Sequence, residues 1–198
     1  MSFGKILAQK YTDKKIINKN DTEIYAYLFD SILSSFTYDL LAILIGIITN
    51  KLFESLIFLY VTAAIRKFSG GYHAKTKIRC TILSYSVFIF YLITISLITI
   101  NNRFFHIIVF ILSSFLILLI SPVECENKHF TPDDKRKLHL RLKLSFIIIS
   151  LFTSIMFVLN YTSILFCINL CLIICAFSLY WGYYKIRSNH NESTNSNL

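Results

Sequence analysis

A histidine and a cysteine stand in a short polar stretch between two long apolar segments. The stretch, RKFSGGYHAKTKIRC, runs from Arg66 to Cys80, and His73 precedes Cys80 by seven residues. An imidazole beside a thiol takes its proton or stabilises the thiolate, which is the nucleophile in cysteine-dependent acyl transfer. Three cations at Lys75, Lys77 and Arg79 would favour the thiolate further. On spacing alone, a chance cysteine and a polar loop histidine remain the alternative.

The two side chains meet only if the chain between them folds back. On one straight helix, residues seven apart share a face but lie roughly 10 Å apart along the axis, too far for a hydrogen bond. Gly70 and Gly71 break a helix and permit positive φ. The sequence therefore predicts a catalytic loop over 66–80, with His73 turned back toward the membrane surface and Cys80 at the entry of the next helix.

The composition indicates a membrane protein. Of the 198 residues, 55% are hydrophobic and only 16% are charged, whereas roughly a quarter are charged in a soluble domain. Four runs of about 16–20 residues lack a charge, enough to cross roughly 30 Å of hydrocarbon. These runs are 82–100, 104–120, 144–159 and 163–180. We therefore predict an all-α fold, a polytopic integral membrane helical bundle with no separate soluble domain.

Charge decides between five and six spans in this bundle. Residues 38–61 could form one span, or 28–48 and 52–65 could form two that turn at Asn50 and Lys51. With six spans and a cytoplasmic N-terminus, 18 of the 20 cations lie inside, as the positive-inside rule favours. The second span is short unless it continues to residue 68, with its cations snorkelling to the surface. The predicted spans are about 28–48, 52–68, 80–100, 104–120, 144–159 and 163–182.

The segments outside the spans are basic or polar. Residues 1–27 predict a basic segment on the membrane surface, with an apolar face formed by Phe3, Ile6, Leu7 and Tyr11. Residues 121–143 form a second basic loop, and 187–198 form a polar tail that we expect to be disordered. Both termini and the catalytic loop are then cytoplasmic. The basic residues follow the sides of the membrane, so no nucleic acid is expected as a partner.

Other polar side chains have less specific patterns. The acids Asp30, Asp39 and Glu54 lie within the first two spans, where packing or boundary roles are favoured over chemistry. Cys167, Cys171 and Cys175 recur every four residues and predict a helix-packing surface. Cys125, His129 and His139 have irregular spacing, so no metal is predicted, and no cofactor. His106, near the end of a span, is expected to be interfacial.

The catalytic stretch resembles a family signature. FSGGYHAKTKIRC is similar to the motif of the accessory gene regulator protein B (AgrB) family, in which an Arg precedes Gly-Gly-x-His and a Cys follows seven residues later. Arg66, Gly70, Gly71, His73 and Cys80 match it position for position. SPVECENKHFTPDDKRK, residues 121–137, resembles a second family segment, a small-Pro-Val-acid stretch before Asn-Lys and a charged run. The resemblance covers about residues 25–185.

The resemblance implies a cysteine endopeptidase of bacterial cell membranes that matures cyclic autoinducing peptides for quorum sensing. His73 would act as general base or ion-pair partner, and Cys80 would form a thioester with the N-terminal part of a precursor (AgrD-like). An internal Cys or Ser of the precursor would then close a thiolactone or lactone. Supporting or substrate-binding roles fall to Arg66, Gly70, Gly71, Lys75, Lys77 and Arg79. The resemblance also favours a homodimer. A small peptide exporter without proteolysis and a non-catalytic scaffold are the alternatives.

Overall fold

The computed structural model describes residues 2–70, 77–123 and 131–195, and these residues form helices and connecting turns without a β-strand. The helices are α1 (Phe3–Asp13), α2 (Thr22–Ile48), α3 (Leu52–Ser69), α4 (Lys77–Leu97), α5 (Arg103–Ile120), α6 (Pro132–Val158) and α7 (Thr162–Asn195), with a 3₁₀ turn at Lys19–Asp21. A helix satisfies all its interior backbone hydrogen bonds within one segment, which a lipid environment requires. The prediction of an all-α bundle is confirmed.

Five of the described helical segments are long and apolar enough to cross a membrane. They are Lys19–Ile48, Arg79–Leu97, Arg103–Ile120, Pro132–Val158 and Thr162–Lys185. The helix α3 is more polar, because its 18 residues include Glu54, Arg66 and Lys67. It continues past the apolar run to Ser69, with both cations in its last turn. The arrangement of six spans and its orientation stay predictions.

Residues up to Asn50 form one compact unit, in which α1 packs along α2. Gly4 is buried, and a Cβ atom there would lie 2.4 Å from the carbonyl oxygen of Ala26. The Gly4 N–H donates a hydrogen bond of 2.8 Å to Asp30 Oδ1. Asp30 therefore has a packing role, because its carboxylate satisfies a backbone donor that the first turn of α1 leaves open. On the other face of α1, Phe3 and Ile6 are exposed.

Residues from Lys51 onward form a second compact unit, and α7 lies at its centre. This helix contacts α3, α4, α5 and α6. Its neighbours contribute fully buried side chains to the core, among them Ile65 of α3, Tyr91 of α4, Ile117 of α5 and Leu142 of α6. Much of the remaining hydrophobic surface is exposed, as in a bundle covered by lipid.

Two segments differ from the sequence prediction. Residues 132–143, predicted as part of a basic loop, form the first turns of α6. Thr131 caps this helix, since its hydroxyl accepts a 3.2 Å hydrogen bond from Asp134 N–H, and Pro132 occupies the first position, where no N–H is needed. Residues 187–195, predicted to be disordered, continue α7. Extending an existing helix requires no new nucleation, so a polar sequence can follow an apolar one.

Candidate functional site

The candidate site lies where α3 ends and α4 begins. The predicted site residues Gly71, His73 and Lys75 lie outside the described residues, as do Cys125 and His129. The two helix ends that border the connection between α3 and α4 are described, and they contain Arg66, Gly70, Arg79 and Cys80.

Gly70 ends α3, as the glycine pair predicts. Its backbone has φ 76° and ψ −151°, a conformation that is essentially restricted to glycine. Its N–H still donates to the carbonyl of Arg66, at 3.3 Å. The chain therefore leaves α3 in a direction that no side-chain-bearing residue would take without strain.

The same helix end is held by the segment that follows α5. The Val123 N–H donates to the Ser69 carbonyl at 2.9 Å. A Cβ atom on Gly70 would lie 2.5 Å from the Val123 carbonyl oxygen, so the close approach also requires glycine. Ser69 and Val123 are both buried. Because Val123 belongs to the second stretch that carries the family resemblance and Gly70 to the first, the structure brings the two stretches into direct contact.

Cys80 is the fourth residue of α4 and is half-buried. In a helix each Cα–Cβ bond tilts toward the N-terminus, which directs this thiol toward the first turn. Negative charge close to the start of a helix is favoured by the positive end of the helix dipole. The Cys80 carbonyl accepts a 3.1 Å hydrogen bond from Ser84 Oγ.

The cations of the site differ in burial. Arg66 is half-buried in the last turn of α3 and lies within electrostatic range of the Cys175 sulfur of α7. The adjacent Lys67 is exposed, with its ammonium 5.7 Å from the ring centroid of Phe68. Arg79 is exposed in the first turn of α4, and the side chain of Lys77 lies outside the described part. Of the predicted supporting cations whose side chains are described, Arg66 is thus half-buried and Arg79 is exposed.

The cysteine stripe of α7 lies away from water. Cys167, Cys171 and Cys175 are each at most 2% exposed and lie along one side of the helix. Tyr91 of α4 is packed beside Cys167 and Cys171, and its hydroxyl donates a 3.0 Å hydrogen bond to the Glu54 carbonyl. The predicted packing role of these three thiols is confirmed.

His106, expected at the membrane interface, has a packing role that the sequence analysis did not predict, and its depth in the membrane stays a prediction. This side chain is 2% exposed and lies against α7. Its Nε2 lies 2.8 Å from the Ile100 carbonyl, so Nε2 carries the proton. Asn169 Nδ2 donates to His106 Nδ1 at 3.1 Å and to the His106 carbonyl at 3.0 Å. Both ring nitrogens are engaged, which allows the imidazole to be buried.

Asn169 was missed by the sequence reasoning. It is the one amide within the apolar run 163–180. A polar side chain in such a run usually hydrogen-bonds to a neighbouring helix, which is the signal that could have paired it with His106.

The apolar helices and the site between α3 and α4 define a helical membrane protein with a cysteine at a helix N-terminus. Comparison with known proteins then specifies its family. Residues 4–179 match the Accessory gene regulator B (AgrB) family, so the chain belongs to that family. Membership supports a part in autoinducer processing within an accessory gene regulator system.

Two AgrB-like proteins of Clostridium perfringens are similar to the chain. One, from strain SM101 (type A), is 27% identical over 161 residues, which cover 78% of this chain and 75% of the relative. The other, AgrB-like protein 2 from strain 13 (type A), is 26% identical over 161 residues with the same coverage. No solved structure matches the chain significantly.

Proposed function

We propose that this chain is a membrane-embedded cysteine endopeptidase that cleaves a quorum-sensing pro-peptide and promotes its cyclisation. One observation supports this function most directly. Cys80 is half-buried in the first turn of α4, while the other described cysteines are buried in the core. Of the thiols in the described residues, it alone combines access with a helix N-terminus.

The reaction begins with transfer of the Cys80 proton to the imidazole of His73. The thiolate attacks a backbone carbonyl carbon of the precursor and forms a tetrahedral oxyanion. Backbone N–H groups around Cys80 are the donors that we assign to this oxyanion. The imidazolium then protonates the leaving nitrogen, the C–N bond breaks, and the C-terminal fragment departs as an amine. The N-terminal part remains bound to Cys80 as a thioester.

The thioester retains the acyl-transfer potential that ring closure requires. An internal Cys thiol or Ser hydroxyl of the precursor attacks the thioester carbonyl, and its proton passes to His73 or to the departing sulfur. The Cys80 thiolate leaves, and a thiolactone or lactone ring is released. Attack from within the bound peptide is favoured over hydrolysis because the internal nucleophile is held close to the thioester carbonyl.

The proposed substrate is a precursor with an acidic C-terminal segment. Such a segment would be attracted to the cations at the end of α3 and the start of α6, where Arg66, Lys135 and Arg136 lie. In the proposed orientation these helix ends and both termini face the cytoplasm of the bacterial cell. Homodimerisation belongs to the same proposal.

Co-expression with a candidate precursor tests this function. Mass analysis should find the released C-terminal fragment and a cyclic product that is lighter than the linear N-terminal part by one water. A precursor whose internal Cys or Ser is replaced by Ala should still be cleaved and should accumulate on Cys80 as a hydroxylamine-sensitive adduct. Export of an intact precursor without cleavage would instead support the exporter.

The orientation has an independent test. Thiol-reactive labels at single introduced cysteines should reach positions 51, 103 and 161 from outside the cell, and positions 75, 135 and 187 only after permeabilisation. A label that reaches position 75 from outside would contradict a cytoplasmic site.

A further inference from the structure

A groove separates α5 from α6 near the end of the bundle where α5 begins. It has a volume of about 360 Å³. One wall consists of Ile107, Phe110 and Ile111 of α5, and the other of Ser150, Ser154 and Phe157 of α6. At 1.5 Å per residue, the α6 wall runs for roughly 10 Å along the helix. Ile107, Ile111, Ser150 and Ser154 are exposed, so the groove opens to the side of the bundle that lipid would cover.

A cation stands at one end of this groove. Arg103 is the first residue of α5, is exposed, and lies 5.6 Å above the ring of Phe157, which lines the groove. Its Nη1 donates to Asn160 Oδ1 in the turn between α6 and α7. A guanidinium has five N–H donors in a planar fork, so donors remain to bind a phosphate. The ring beneath and the amide beside it hold the guanidinium at the mouth of the groove.

The groove and the arginine fit different parts of one molecule. Most of the lining residues are apolar and match a hydrocarbon chain, and the position of Arg103 at a helix start matches a headgroup at the membrane boundary. A chain gains little when it moves from the bilayer into an equally apolar groove, because lipid tails and side chains are alike in polarity. Selectivity must therefore come from the net charge of the headgroup at Arg103, where a negatively charged headgroup is preferred over a zwitterionic one.

We propose that the groove between α5 and α6 binds one acyl chain of an anionic phospholipid whose phosphate is held by Arg103. The bound lipid fills the space between the two helices beside the buried His106–Asn169 pair. This binding site is separate from Cys80 and does not depend on the proteolytic function.

Native mass spectrometry of the full chain tests the site. The protein is purified in detergent and incubated with an equal mixture of phosphatidylglycerol and phosphatidylcholine, and the retained lipid is counted. We expect one phosphatidylglycerol per chain. Arg103→Gln should lower its retention about five-fold, the effect of one basic residue at an anionic lipid. Ser154→Phe should lower retention of both lipids, because the new ring occupies the groove from its exposed edge.

A control variant separates the site from general effects. Lys51→Gln removes the other cation predicted on the same side of the membrane and should leave retention unchanged. Asn160→Gly removes the amide that holds the guanidinium, at a residue with φ 63° that glycine adopts without strain, and should lower phosphatidylglycerol retention by less than Arg103→Gln does. Circular dichroism shows whether each variant keeps its helical content.

Three results would overturn the proposal. They are equal losses in Arg103→Gln and Lys51→Gln, wild-type retention in a folded Ser154→Phe variant, or no lipid retained by the wild type. If a variant loses helical content, the thermal unfolding of the wild type is measured at increasing concentrations of phosphatidylglycerol and, separately, of phosphatidylcholine. Stabilisation by phosphatidylglycerol beyond that by phosphatidylcholine supports the site, and equal stabilisation contradicts it.

Discussion

Cys80 lies half-buried in the first turn of α4, whereas Cys167, Cys171 and Cys175 are buried in the first half of α7. The side chain is the same in both regions, but the surroundings differ. At a helix start, the positive end of the helix dipole favours negative charge, while in the packed interior a thiolate would lose its solvation. The thiol of α4 is therefore suited to reaction, and those of α7 to packing.

The imidazoles show a similar contrast. His106 has both ring nitrogens engaged, by Ile100 and Asn169, and holds α5 against α7. A general base needs a nitrogen that can exchange a proton with the nucleophile. The sequence places His73 between the two helix ends that border the candidate site. Residue type alone therefore does not mark a catalytic group. For the thiols, position at a helix end adds the missing information.

The largest effect should come from Cys80→Ala. Thiolate attack requires the sulfur, so we expect processing to fall by roughly 10³-fold or more while membrane insertion is kept. Cys80→Ser should be almost as inactive, because a hydroxyl ionises far less readily than a thiol. The measurement is mass analysis of the C-terminal fragment after co-expression. The matched control is Cys171→Ala, which should keep processing and lower the free energy of unfolding by about 1 kcal/mol. Fragment release by Cys80→Ala would contradict the mechanism.

Substitution of the two histidines should separate catalysis from folding. His73→Ala is expected to slow cleavage by on the order of 10²–10⁴-fold, the usual contribution of a general base, with no change in thermal stability. His106→Ala should show the reverse pattern, with a lower Tm and cleavage by the folded fraction retained, because it removes the buried imidazole that accepts from Asn169 and leaves a cavity beside α7. Cleavage rates and unfolding curves of both purified variants are the measurements. Full activity of His73→Ala would contradict the proposed role of His73 as the general base or ion-pair partner of Cys80.

Gly70→Ala probes how the region between α3 and α4 is held. The new methyl would meet the Val123 carbonyl, and the φ of 76° would be strained by about 1–3 kcal/mol. If the chain shifts by about 1 Å to relieve this, processing should fall by roughly 10²-fold. Ser69→Ala is the control, because it keeps the backbone carbonyl that accepts from Val123. Equal activity of the two variants would show that the contact does not position the site.

The smallest expected effect concerns the two neighbouring cations at the end of α3. Arg66→Ala should slow processing roughly five-fold, equivalent to about 1 kcal/mol, because Arg66 is half-buried at the site. Lys67→Ala removes the same charge from an exposed position and should change processing less than two-fold, as expected for a solvated surface charge. Cleavage rates at two salt concentrations would show whether Arg66 acts through charge. Equal cleavage rates for both variants would show that Arg66 serves only to orient the helix in the membrane.

Several features of this protein follow from the sequence alone. Long runs without charge require helices, because only helices satisfy their own backbone hydrogen bonds in lipid. The Gly70–Gly71 pair predicts the end of α3, and the four-residue period of the α7 cysteines predicts one packed helix face. The helix start at Thr131 could also have been predicted, since Thr-Pro-Asp-Asp contains a cap, a proline at the first position and acids in the first turn. These signals are local, so one sequence suffices to find them.

Contacts between distant segments were decided only by the tertiary structure. No local pattern pairs Val123 with Ser69 or His106 with Asn169, because each pairing depends on how complete helices pack against α7 and α3. The groove between α5 and α6, with Arg103 above Phe157, likewise exists only after both helices are placed. Helix periodicity shows which face of a segment is apolar, but the neighbour of that face is chosen by the shapes of side chains far apart in the chain.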